Sequence, residues 1–108
     1  MNPTVKILEP SGILNAVKGN ELRREITNLT STGADIVLID LKNVNFIDSS
    51  GLGALVSSMQ AVKQANGKLF VCSVSSQVKM IFELTKMDRI LHIFETRDEF
   101  NSQVLATQ

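Results

Sequence analysis

Asp48-Ser49-Ser50-Gly51-Leu52-Gly53 packs a carboxylate, two hydroxyls and two glycines into six residues, between Phe46-Ile47 and the apolar-rich run that starts at Leu52. A hydroxyl where a strand gives way to a helix can cap the helix, attack an electrophile or accept a phosphate. As an N-cap it accepts a backbone N–H and stabilises the helix by about 1 kcal/mol. That use leaves Gly51 and Gly53 unexplained, since each costs about 0.5–1 kcal/mol relative to Ala in a helix. Their bareness lets another surface approach the backbone. As a nucleophile the serine needs a base within reach. The only histidine, His92, lies inside the apolar Ile90-Leu91-His92-Ile93-Phe94, which reads as packing, and no Gly-x-Ser-x-Gly elbow is present. A phosphate-binding loop is also a poor fit. Gly51-Leu52-Gly53 begins a dinucleotide fingerprint, but Val56 stands at the third glycine, and Lys63 is too far along for a P-loop lysine. As a phosphoacceptor the serine sits well, because a helix N-terminus tolerates a dianion. The added charge of about −1.5 to −2 beside Asp48 changes the surface a partner meets.

Other candidate groups add little. Asp35, Asp40 and Asp48 fall in one strand–loop unit without forming an acid/base couple at a defined spacing, and read as solvated loop carboxylates. Cys72, the single cysteine, lies in an apolar run and reads as a buried thiol. It excludes an internal disulfide and a cysteine zinc site. Met59, Met80 and Met87 read as packing.

The elements that position the motif follow from hydrophobic pattern. Val5 to Leu8, with Ile13-Leu14 beyond Pro10-Ser11-Gly12, predicts a first strand bent at the proline. Leu22, Ile26 and Leu29 predict a helix over 21–32, with Asn15 or Asn20 as its N-cap and Gly33 as its stop. Ile36-Val37-Leu38-Ile39 is a strand buried on both faces, and Lys42-Asn43-Val44-Asn45 reads as a turn leading into Phe46-Ile47. Leu52, Leu55, Val56, Met59 and Val62 make the strongest helical stripe. Leu69 to Cys72 is a further buried strand, and Ser75 or Ser76 caps the next helix. Residues 90–94 form a last strand, and Thr96-Arg97-Asp98-Glu99 is a capping box opening a terminal helix. The order β-α-β-α-β-α-β-α implies an α/β fold with a mainly parallel sheet covered on both faces. Functional loops then gather at the carboxyl ends of strands, so residues 48–53, 14–19 and 73–76 are expected on one face.

With 108 residues, 44% hydrophobic and 20% charged, the chain suits one globular domain spanning 1–108. Eleven basic and eleven acidic residues balance, and no basic run appears, which argues against a nucleic-acid partner. The first six residues do not form a signal peptide, and the apolar runs fall short of the roughly 20 residues a membrane helix needs. No direct membrane insertion and a cytoplasmic location are the resulting expectations.

Phe46-Ile47-Asp48-Ser49-Ser50-Gly51-Leu52-Gly53, preceded by Ile36 to Leu41, resembles the STAS domain of bacterial anti-sigma factor antagonists. Ser11 to Asn15, Gly67 to Cys72 and Ser76 to Phe82 resemble further segments of that family. The resemblance implies a four-stranded, mainly parallel sheet with about four helices, and room for an extra short N-terminal strand. It implies a non-catalytic partner switch. The unphosphorylated domain binds an anti-sigma factor that is also an ATP-dependent serine kinase, and so frees the sigma factor. The kinase phosphorylates the serine directly after the motif aspartate, which is Ser49 here, with Ser50 its neighbour, and a serine phosphatase resets it. ATP and magnesium belong to the kinase, so the domain itself is expected to carry no cofactor and no metal. Asn15, Asp48, Ser49, Ser50, Gly51, Leu52 and Gly53 are the implied partner-binding residues.

Two departures stand out. Asn15 replaces the family's usual aspartate, which bears on affinity or partner choice. The family's first strand is short or missing, so an open sheet edge is expected, and with it a weak homodimer. Two other readings compete: a non-catalytic STAS subunit of a membrane lipid-transport ATPase complex, whose serine would be structural, and a small-ligand-binding module.

Overall fold

The computed structural model describes residues 3–106. The ends of the expected 1–108 domain, and any strand at Met1-Asn2, lie outside the described residues. Strand β1 (Val5–Leu8) leads through Glu9-Pro10 to β2 (Ser11–Leu14), and then to helix α1 (Ala16–Ser31). Strand β3 (Ile36–Asp40) leads through Leu41-Lys42 to β4 (Asn43–Ile47) and helix α2 (Ser49–Gln64). There follow β5 (Lys68–Cys72), α3 (Ser76–Leu84), a 3-10 turn (Met87–Arg89), β6 (Ile93–Phe94) and α4 (Arg97–Phe100), which runs into a π turn over Asn101–Leu105.

The strands form two parallel sheets. One has the order β1-β3-β5-β6 and the other pairs β2 with β4. Each of β1 and β3 therefore turns sharply and continues into the second sheet. Proline at position 10, which lacks a ladder donor, marks the first of these turns. Two expectations change accordingly. The bend at Pro10 separates two strands in different sheets. Residues 43–45, expected as a turn, belong to β4. Asn43 and Asn45 are polar because they face solvent on a half-covered strand, while Val44 and Ile47 face the core. The final strand is also shorter than expected, because Ile90 is an exposed turn residue and Leu91 a bend, which leaves Ile93-Phe94 as β6.

Every residue of β3 is buried, as a strand covered on both faces requires. Val37 and Ile39 join Leu22 and Ile26 of α1, Leu55 and Val62 of α2, and Val78 and Phe82 of α3 in the larger core. Ile36 and Leu38 turn the other way, onto Phe70, Phe94, Phe100 and Val104. The sequence pattern thus yields the α/β sandwich expected of it. The outer edge of β1 carries no further strand among the described residues.

The turn between the sheets holds a charged cluster. Asp40, 1% exposed, accepts a 2.7 Å hydrogen bond from Arg97 at the start of α4. Arg97 also pairs with Glu9, and Lys42 lies 3.6 Å from Glu9 and 4.0 Å from Asp40. The Lys42 backbone N–H donates to Asp40 at 3.0 Å. Glu9 and then Asp40 hold the Arg97 guanidinium above its already high ordinary range. Asp40 is thus a paired structural carboxylate and not the solvated loop residue the sequence suggested. A charge is buried only when paired and hydrogen-bonded.

Candidate functional site

Leu14 and Ile47 are register partners at the ends of β2 and β4, and each strand passes into a helix through one residue. Those residues are Asn15 and Asp48. Asn15 Oδ1 accepts the Lys18 N–H at 3.1 Å and caps α1. Asp48 Oδ1 accepts the Gly51 N–H at 2.9 Å and caps α2. The Asp48 N–H donates to the Leu14 carbonyl at 3.2 Å and ties the two junctions together. Two helix N-termini therefore open side by side, and their partial positive charges add. Asn15 does the capping work of an aspartate without its charge, and Asn and Asp cap about equally well.

A serine was the expected cap of α2. Asp48 takes that role, so the hydroxyls of Ser49 and Ser50 are released from it. Both serines are exposed in the first turn, and neither hydroxyl makes a hydrogen bond among the described residues. Their backbone N–H groups belong to the set that a helix start leaves without an internal acceptor. An anion attached here meets free donors.

The two glycines serve different ends. A Cβ on Gly51 would stand 2.1 Å from the Leu14 carbonyl oxygen, so only glycine lets α2 approach β2 this closely. Gly53 is exposed and has open space around its Cβ position. Packing does not explain it, and it leaves a bare stretch of helix surface. Leu52 is half-buried and packs on the core. Gly19 sits against Ala54 and the Ser50 carbonyl, bringing residues 14–19 beside residues 48–54 as expected.

Residues 73–76 lie apart from this group. The Ser75 hydroxyl caps α3 and sits 3.5 Å from the carbonyl of Val44. Val44 is four residues before Asp48, roughly 13 Å along the strand. The loop after β5 belongs to the other sheet, so its carboxyl end falls near the start of β4. His92 stacks on Phe94 and meets Phe70 edge-on but remains exposed, so it lies at the edge of the aromatic cluster and not inside it. Burial pushes the Cys72 thiol up, and the side chain is fully enclosed.

The sequence pattern missed one feature. The β2–β4 register slips between Gly12 and Ile13, leaving Asn45 as an extra residue in β4. Strict alternation from Val44 would turn Phe46 inward. The bulge turns Phe46 outward beside its partner Ile13, and Ile47 takes the inward place. Gly12, opposite the bulge, has φ +79°, a conformation L side chains rarely adopt.

With this geometry in hand, the comparisons with known proteins agree on the fold. The STAS domain family matches residues 1–100, and the chain belongs to that family. The chain is 30% identical over 84 residues to the anti-sigma-B factor antagonist of Staphylococcus aureus, covering 78% of each protein. A crystal structure from Thermotoga maritima, of a protein provisionally described as an anti-sigma factor antagonist, superposes with TM-score 0.84 at 27% identity over 93% of this chain and 86% of that one. The STAS domain of a SulP transporter from Vibrio cholerae superposes with TM-score 0.81 at 14% identity over 99% and 85% of the two chains, which is a likeness of fold alone. Among the described residues no helix is long and apolar enough to cross a membrane.

Proposed function

We propose that this chain is an anti-sigma factor antagonist whose docking surface is switched by phosphorylation of Ser49. The observation that carries the reading is the division of labour at the start of α2: Asp48 caps the helix, which leaves the Ser49 hydroxyl exposed and unbonded beside two helix N-termini. The Staphylococcus aureus relative, an antagonist of an anti-sigma factor by name, supports the partner class.

In this reading the unphosphorylated surface, built from Asn15, Asp48, Ser49, Ser50, Leu52 and Gly53 around the buried Gly51, binds an anti-sigma factor that is also a serine kinase. The kinase brings ATP and magnesium. The antagonist is ligand and then substrate, and performs no catalysis itself. A serine phosphatase restores the hydroxyl. Choice of Ser49 over Ser50 rests on its place directly after Asp48.

The chemistry of the switch is electrostatic. A phosphate on Ser49 brings about −1.5 to −2 charge next to the Asp48 carboxylate. The free N–H groups of the helix start compensate it within the domain, so the fold persists. A partner shaped for the neutral hydroxyl meets a dianion instead. Juxtaposed like charges at an interface cost several kcal/mol, and each 1.4 kcal/mol is tenfold in affinity. A subunit role with a structural serine predicts a bonded hydroxyl, and neither Ser49 nor Ser50 has one among the described residues.

Peptide mass spectrometry after incubation with the cognate kinase and Mg-ATP tests the assignment. One phosphate on Ser49, absent in Ser49→Ala, is the expected result. Phosphate on another residue, with Ser49 unmodified, would remove the proposal.

A further inference from the structure

We infer that Ile13 and Phe46, with Val17 beside them in the chain path, form the apolar contact by which the unphosphorylated domain holds its protein partner, and that the partner presents an uncharged apolar surface there. This rests on the functional reading above and adds the residues that supply the affinity.

Three observations support it. First, Ile13 and Phe46 are 51% and 47% exposed although they are cross-strand partners on one face, and Val17, in the first turn of α1, is 66% exposed. Second, the exposure of Phe46 is built. The extra residue at Asn45 reverses the alternation of β4 and leaves a large aromatic residue half exposed, and bulges recur where a side chain must be re-aimed. The bulge places Ile47 in the core and leaves the larger aromatic Phe46 47% exposed. Third, the segments that carry the patch are poor in charge, with Lys18 and Lys42 only at their flanks. Residues 11–17 and 43–62 contain one charged residue, Asp48, whereas the whole chain holds eleven acidic and eleven basic ones. Depletion of charge with an aromatic at the centre is the composition of a protein interface core.

Placement selects the occupant. Ile13 lies two residues before Asn15, and Phe46 two before Asp48, at the ends of adjacent strands. A partner that reads Ser49 therefore covers this face too. The phosphate then appears at the rim of a neutral contact, where it displaces an apolar surface that has no countercharge for it.

The test uses the full chain and the purified anti-sigma factors of its source organism, with affinity measured by calorimetry and fold checked by circular dichroism. Phe46→Ala is expected to weaken binding about 30-fold or more, as truncation of a central aromatic does. Because half of Phe46 packs inward, Ile13→Thr, which keeps a β-branched residue in the strand, provides a second variant, expected to lose at least tenfold. Folded variants that both lose less than tenfold, while wild type binds, overturn the contact and leave the functional reading intact. Wild type that binds none of the anti-sigma factors removes the reading and this contact together. A wild-type dimer in sedimentation that Phe46→Ala converts to monomer assigns the face to a second copy, and also overturns the inference.

Discussion

The carbonyl oxygen of Leu14 lies 2.1 Å from where a Cβ on Gly51 would stand, whereas a Cβ on Gly53 would meet nothing within 4 Å. Two glycines one residue apart therefore answer to different constraints, and substitution separates them. Gly51→Ala forces α2 away from β2 and is expected to cost about 3 kcal/mol or more, since backbone cannot yield as a side chain does. Gly53→Ala is expected to gain about 0.5–1 kcal/mol from helix propensity while weakening partner binding. Urea denaturation of both variants checks the opposite signs, and equal destabilisation would contradict the packing described.

Arg97 joins α4 to the turn between the two sheets through Asp40 and Glu9. Removing one partner of a buried pair leaves the other uncompensated, at about 3–5 kcal/mol when both are buried. Arg97 keeps contact with solvent and Lys42 remains nearby, so Arg97→Met is expected to cost about 2 kcal/mol. Adding Asp40→Asn removes the stranded charge and is expected to recover part of that loss. Thermal unfolding of the single and double variants measures the coupling. Strict additivity would show that the pair does not act as one.

Ser58 is fully buried in α2, and its hydroxyl has no hydrogen-bond partner among the described residues. An unsatisfied buried polar atom costs about 1–3 kcal/mol. Ser58→Ala is therefore expected to raise stability by about 1 kcal/mol, visible as a higher urea midpoint at unchanged slope. A lower midpoint would mean the hydroxyl is satisfied.

Burial raises the Cys72 thiol in the folded protein, so folding disfavours the thiolate. The unfolded thiol ionises near pH 8.5. This contribution is absent below that pH, and stability declines above it as the unfolded state loses its proton first. Two measurements follow. Cys72→Ala is expected to flatten the decline between about pH 8 and 10 relative to wild type. Thiol reagents at pH 8 are expected to modify Cys72 only on unfolding, and rapid labelling of the native protein would contradict the burial.

The fold was legible wherever one face or both faces of an element are buried, because burial writes periodicity. The stripe from Leu52 to Val62 and the run Ile36 to Ile39 announced a helix and a strand correctly. The first half of β4, residues 43–45, reads as a turn because a bulge and a half-exposed face break alternation, and Asn43 and Asn45 carry the polar signal of a loop. The sequence leaves the start of α1 open between Asn15 and Asn20 because Ala16, Val17 and Lys18 carry no core residue, and the cap geometry selects Asn15. The motif at residues 48–53 was legible as a strand-to-helix junction, but which oxygen caps the helix is a matter of geometry. Asp40 looked solvated because its partner Arg97 lies 57 residues away. The outward turn of Phe46 depends on a register slip between two strands that local sequence does not encode.

The central claim is that charge on one hydroxyl decides docking. Its most direct measurement is the affinity of the cognate anti-sigma factor for the unphosphorylated chain and for the same chain stoichiometrically phosphorylated on Ser49, with circular dichroism confirming that both are folded. The account predicts a loss of at least about 100-fold on phosphorylation, with Ser49→Ala binding like the unphosphorylated form. Equal affinity of the two forms would contradict it.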